Sequence, residues 1–160
     1  MRFLNFLIIG LLMTGSAEAT KWEGYFEGGL GGTVKWVNVE SVVGFGEQRV
    51  LFWKVTVYPN GDLFDMSVDL RRAHCKNEIP HCVMESHAYK NGKYQYQFGG
   101  GQICQTDSFI PTDAEIACGL SQRRTFKEEF KNFNEMLKKS EEIRKKYQKH
   151  NDFGYVPYLF

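Results

Sequence analysis

Residues 49 to 70, RVLFWKVTVYPNGDLFDMSVDL, hold two runs of alternating apolar and polar side chains around Asn60-Gly61. Side chains on a strand point alternately to its two faces, so such runs suit strands with one face covered. Asn-Gly readily takes the positive φ angles of a type I′ turn, and the segment therefore predicts a β-hairpin. Counting outward from a two-residue turn pairs Val57 with Phe64, Val55 with Met66, Trp53 with Val68 and Leu51 with Leu70. A slip of one residue would send all eight of these apolar side chains to water, so the register is strongly specified. Lys54, Thr56, Asp65, Ser67 and Asp69 fall on the opposite face, which is expected to be solvated. Pro59 has no amide to donate and points to a longer, bulged loop as the alternative to a tight turn.

A second hairpin is predicted over residues 83 to 98, where Asn91-Gly92 repeats the turn chemistry. It pairs Tyr89 with Tyr94, His87 with Tyr96 and Glu85 with Phe98, an aromatic face suited to the core. Thr33 to Val39 and the stretch around Trp22 to Phe26 read as earlier strands, joined by a turn at Gly28 to Gly32. After Cys118 the pattern becomes helical. Thr125 and Glu128 have capping-box spacing, and Phe126, Phe130, Phe133, Leu137 and Tyr147 form a stripe edged by Met136 and Ile143. A basic amphipathic helix is expected from about Phe126 to Lys149. The final residues, 151 to 160, form an aromatic tail.

The chain of 160 residues, 42% apolar and 24% charged, is sized for one domain and excludes a disordered polymer. A formal net charge of +1 argues against a dedicated nucleic-acid binder. The charge is polarised: residues 121 to 150 carry +5, whereas 20 to 120 carry −3.

Residues 1 to 19 read as a secretory signal peptide: Arg2, an apolar run from Phe3 to Met13, then Ala17-Glu18-Ala19 as a small-x-small cleavage site. Residues 20 to 160 would be the mature domain, periplasmic or secreted, with no transmembrane segment and, for want of a cysteine in the leader, no lipid anchor. Export favours oxidation of the four cysteines, Cys75, Cys82, Cys104 and Cys118, into two disulfides. Three connectivities are open.

The cluster His74-Cys75, His81-Cys82 and His87 has metal-ligand residue types, but it lacks zinc spacing and its cysteines have disulfide partners to hand, so no metal is expected. Gly99-Gly100-Gly101 lacks the Lys-Ser/Thr of a phosphate loop and reads as a bend. No GxSxG, SxxK or HExxH occurs, and no catalytic residue or cofactor is assigned. Asp65 and Asp69 on one strand face would be the pair for glycoside cleavage if this were a hydrolase, with His87 as a third polar group. The basic helix offers Lys138, Lys139, Arg144, Lys145, Lys146 and Lys149 to an anionic partner. Glu141 and Glu142 stand four residues before Lys145 and Lys146 and would pair with them.

With Trp22, the Val37-Asn38-Val39-Glu40-Ser41-Val42 segment, Trp53, Cys75 and Cys118 in this order, residues 22 to 118 resemble the surface-adhesin protein E family of small exported bacterial proteins. The resemblance implies an antiparallel sheet packed against helix, a Cys75 to Cys118 bridge that leaves Cys82 for Cys104, and adhesion through host matrix and plasma proteins. The second cysteine pair, the long basic helix and the missing lipidation cysteine depart from that family and bear against surface display. The expectation is an exported α+β domain with five to six antiparallel strands, a helix packed on them and two disulfides. Its function would be non-catalytic binding of a protein or other macromolecule in a Gram-negative envelope. A periplasmic inhibitor or envelope assembly factor is the first alternative and a small glycan or cell-wall hydrolase the second.

Overall fold

A computed structural model describes residues 18–28, 32–44, 48–59, 63–76, 81–98, 102–105, 111–121 and 124–151. Residues 1–17 of the expected leader, the Asn60-Gly61 turn, the triple glycine and residues 152–160 of the expected tail lie outside the described residues. The strands are β1 (Thr20–Glu27), β2 (Thr33–Asn38), β3 (Val43–Gly44), β4 (Arg49–Val57), β5 (Met66–His74), β6 (His81–Lys90), β7 (Lys93–Phe98), β8 (Ile103–Gln105) and β9 (Phe126–Phe130). Two helices join them, α1 (Thr112–Ala117) and α2 (Phe133–Asn151). One antiparallel sheet runs β7-β6-β5-β4-β2-β1-β9, with β3 extending β4's pairing and β8 lying along β6. Among the described residues the strands number nine rather than five to six. The additional ones are short or masked by a competing pattern: β3 has two residues and β8 three, while β9 shares its phenylalanines with the helical stripe.

The paired strands of the central hairpin keep the expected faces but not the expected partners, and Phe64, expected on the apolar face, instead packs with Tyr58, Tyr96 and Phe98. Val57 pairs with Met66, Val55 with Val68, Trp53 with Leu70 and Leu51 with Arg72, a shift of two residues in β5 that preserves side-chain parity. A loop longer than two residues causes it: the ladder closes where the Tyr58 amide donates to the Asp65 carbonyl at 2.9 Å. The chain between β2 and β3 leaves β4 in a 3-10 turn, Val39–Ser41, capped by the Asn38 side chain, which accepts from the Glu40 and Ser41 amides at 3.1 Å each. The Ser41 hydroxyl accepts from the Trp53 amide at 3.1 Å, filling the gap this excursion leaves beside β4.

The apolar face carries Trp22, Val34, Trp36, Trp53, Val55, Met66, Val68, Tyr89 and Phe130, and α2 lies over it. Phe133, Met136, Ser140 and Ile143 of α2 are buried there, with Leu137 and Tyr147 half-buried. Trp36 donates its indole N–H to the Ser140 hydroxyl at 2.8 Å, so the largest buried ring satisfies its polar atom within the contact. Gly24, directly opposite Trp36, makes room for the indole; a Cβ there would overlap it.

The helix begins seven residues later than the stripe indicated. Phe126 to Phe130 forms β9 against β1, because Phe126, Glu128 and Phe130 also share one face at period two, and the Phe126 and Phe130 rings join the apolar face. Thr125 does not cap α2; its hydroxyl donates to Glu23 at 2.6 Å. The cap is Asn132, whose side-chain oxygen accepts from the Glu135 amide at 3.0 Å, while Glu135 reaches back to the Lys131 amide at 2.8 Å.

Both disulfides, Cys75–Cys118 and Cys82–Cys104, are formed with the pairing the family resemblance implies. The first ties the end of α1 to the end of β5, and the second joins directly opposed residues of β6 and β8.

Candidate protein-interaction surface

The face of the sheet away from α2 divides into a closed part and an open part. In the closed part, α1 sets Ala114, Ile116 and Ala117 against Tyr25, Val37, Phe52 and Ala73. Asp113 on α1 reaches down to the sheet, accepting from Arg71 at 2.9 Å and standing 3.5 Å from Lys54. Lys54 is also 3.4 Å from Asp69, which accepts from the Ser86 hydroxyl at 2.6 Å. The face expected to be solvated is therefore buried in this stretch: Lys54, Thr56, Ser67 and Asp69 all have less than a tenth of their surface exposed. It can be buried because α1 brings the missing countercharge from a distant part of the chain.

Burial pushes the Lys54 ammonium below its usual range, opposed by the Asp113 and Asp69 charges. Burial alone would raise the Asp113 carboxyl, but Arg71, Lys54 and Lys35 with the Ala114 amide outweigh it and hold it below the ordinary carboxylate value. Two cations and two carboxylates thus close on one another, and the network's chemistry is to pin α1 to the sheet.

The open part lies on β7. All six residues of this strand are exposed, and among the described residues its outer edge has no neighbour in the sheet order. The β6–β7 turn is as the sequence indicates, Asn91 and Gly92 having φ of 51° and 73°. Asp65 braces it by accepting from the Asn91 amide at 2.8 Å. Tyr89 pairs with Tyr94 as expected, but the next pairs are Ala88 with Tyr96 and Ser86 with Phe98. A β-bulge at Gln95 therefore replaces the expected His87–Tyr96 and Glu85–Phe98 pairs and sends Tyr96 and Phe98 to the face opposite Tyr94.

There the two rings meet residues from the end of the central hairpin. Tyr58 and Phe64 are 5.3 Å apart between centroids, Phe64 and Phe98 5.2 Å, and Phe98 and Tyr96 5.0 Å, all edge-to-face. Tyr96 and Phe98 remain 40% and 37% exposed, so this aromatic ladder is a surface. Tyr58 hydrogen-bonds with Ser67 at 3.3 Å, and burial raises its hydroxyl above the ordinary tyrosine value, keeping it neutral. The opposite sheet edge differs: β9 presents Lys127 and Glu129 outward, a charged guard against strand addition that β7 has only in Lys93.

The remaining candidates are dispersed. Asp69 lies in the ion network and Asp65 at the hairpin turn, while His87 faces the other side of the sheet between Trp53 and Tyr94. These three groups do not converge. Lys139 pairs with Glu128 and Lys145 with Glu141, each at 2.7 Å, the latter being the expected i,i+4 contact. Lys138 and Lys146 are exposed, and Lys149 lies outside the residues whose side chains are described. Two of the five lysines are thus ion-paired. Among the described residues no three His, Cys, Asp or Glu side chains gather as a metal-ligand set, and no helix is long and apolar enough to cross a membrane. The bulge and the buried network went unforeseen; the one legible signal was Asn132-x-x-Glu135, a second capping-box spacing seven residues after the first.

No protein-family model matches this chain, and neither a curated protein nor a solved structure does.

Proposed function

We propose that this chain is an exported, disulfide-crosslinked binding protein that recognises a protein partner along β7. The partner adds an extended segment to the β7 edge and packs apolar side chains on the ladder of Tyr58, Phe64, Tyr96 and Phe98. The observation that carries this reading is a sheet-edge strand with every residue exposed and two solvent-facing rings beside its free edge. Backbone groups of an unpaired edge supply the affinity in strand addition, and side-chain pockets beside it supply selectivity. Exposed aromatic rings held rigid by their neighbours are the side chains that dominate protein interfaces. The two disulfides suit a periplasmic or secreted location, where such crosslinks persist. Resemblance to the surface-adhesin protein E family supports the same non-catalytic role.

The test is affinity capture from the native extracytoplasmic fraction with oxidised residues 20 to 160. The bait is compared with Tyr96→Ala/Phe98→Ala and with a variant in which Lys138, Lys139, Lys145, Lys146 and Lys149 become Gln. Capture of one defined protein is expected to disappear in the aromatic variant, persist in the lysine variant and change little with salt. Loss in the lysine variant alone, or steep salt dependence, would move the site to α2 and overturn the assignment to β7.

A further inference from the structure

Where α2 crosses the end of β4, a cavity of about 330 Å³ opens, lined by Val57, Tyr58, Leu137, Lys138, Glu141 and Arg144. Leu137, Glu141 and Arg144 are spaced i, i+4, i+7, so they share one helix face, with Lys138 at its side. Val57 is buried and Leu137 half-buried, which gives the cavity an apolar floor. Glu141 is paired with Lys145 at 2.7 Å, the larger influence on its carboxyl, with a smaller one from Arg144 inside the cavity. Lys138 and Arg144 form no ion pair or hydrogen bond among the described residues. The cavity thus has an apolar side and a polar side on which two cations outnumber one carboxylate.

We propose that this cavity binds a small amphiphilic anion, its phosphate or carboxylate headgroup held between Lys138 and Arg144 and its apolar body lying on Val57 and Leu137. Ligand pockets run from about 300 to 1,000 Å³, so this one admits a single short alkyl or acyl body and not a polymer. Lys138 and Arg144 are six residues apart, a rise of about 9 Å along the helix and about 120° around it, and both long, flexible side chains line the cavity on either side of Glu141. The apolar wall beside them lowers the local dielectric and strengthens their attraction for an anion over that of lysines in open water. This site shares Tyr58 with the aromatic ladder but needs neither Tyr96 nor Phe98.

Isothermal titration of the oxidised mature protein with monomeric octyl phosphate tests the assignment, with inorganic phosphate and octyl glucoside as the head-only and neutral-head probes. Octyl phosphate is expected to bind one site, at least about tenfold more tightly than either control. Lys138→Gln and Arg144→Gln should each weaken it about tenfold, the loss of one charge-assisted contact. Lys146→Gln, an exposed lysine of the same helix outside the cavity, should leave it unchanged. Both cavity cations reach solvent, so the variants should retain the parent's near-ultraviolet circular dichroism. Equal binding of inorganic phosphate or octyl glucoside would overturn the proposal, as would equal weakening by Lys146→Gln. Binding to phosphatidylglycerol vesicles without binding of octyl phosphate would also overturn it, since the anion would then be read by the helix surface and not by the cavity.

Discussion

Asp113 is the residue on which the closed part of the sheet turns. It is almost fully buried, and its carboxylate answers two buried cations, Arg71 and Lys54. Asp113→Asn leaves those cations with Asp69 alone and is expected to cost about 3–5 kcal/mol in urea-monitored unfolding. Lys54→Met should cost less, because the ammonium is itself disfavoured by burial and its removal leaves Asp113 with Arg71 and Asp69 with Ser86. The network also sets an acid limit. The folded Asp113 carboxyl titrates below its unfolded value, so its stabilisation is complete above pH of about 4 and is lost as pH falls through the folded value. The melting temperature should therefore drop on the acid side, and the drop should be shallower in Asp113→Asn. Lys54 was legible as a polar-face residue; nothing in its neighbourhood in sequence announces a partner 59 residues on, so its burial was not.

The start of the last described element shows how local patterns compete. Phe126, Phe130 and Phe133 fit a helical stripe, while Phe126, Glu128 and Phe130 fit a strand equally well. β1 decides between them: its free edge offers five register pairs to Phe126–Phe130, and a helix cannot satisfy an edge's backbone groups. The helix then starts at the next available cap. Asn132→Ala removes the acceptor for the Glu135 amide and should cost about 1 kcal/mol, whereas Thr125→Ala should leave the helical signal in circular dichroism unchanged. The bulge in β7 is the other decision at this scale. Without it Tyr96 and Phe98 would follow Tyr94 onto the face of the core; with it they become surface.

Across the whole molecule the sheet is sandwiched unequally, by a long helix on one face and a six-residue helix on the other. A helix as short as α1 is not stable alone, so it depends on Cys75–Cys118, the ion network and its own apolar side chains. Removing that bridge as Cys75→Ala/Cys118→Ala frees a loop of about 44 residues and should cost about 4 kcal/mol, against about 3 for Cys82→Ala/Cys104→Ala. Calorimetry of the two double variants measures the difference. Hydrogen exchange should add a spatial signature: the first variant exposes the amides of α1, and the second loosens β8 with little effect on α1.

Alternating runs, two Asn-Gly pairs and four cysteines were enough to define an antiparallel sheet, most of its apolar face and a body crosslinked by disulfides, because side-chain parity on a strand is a local property. Which polar side chains go dry, where β7 bulges and where α2 begins were settled only in three dimensions. Each depends on a group far away in sequence: Asp113 over Lys54, Phe64 beside Phe98, β1 beside β9. Countercharge, ring contact and edge pairing act through space, and no local period encodes them.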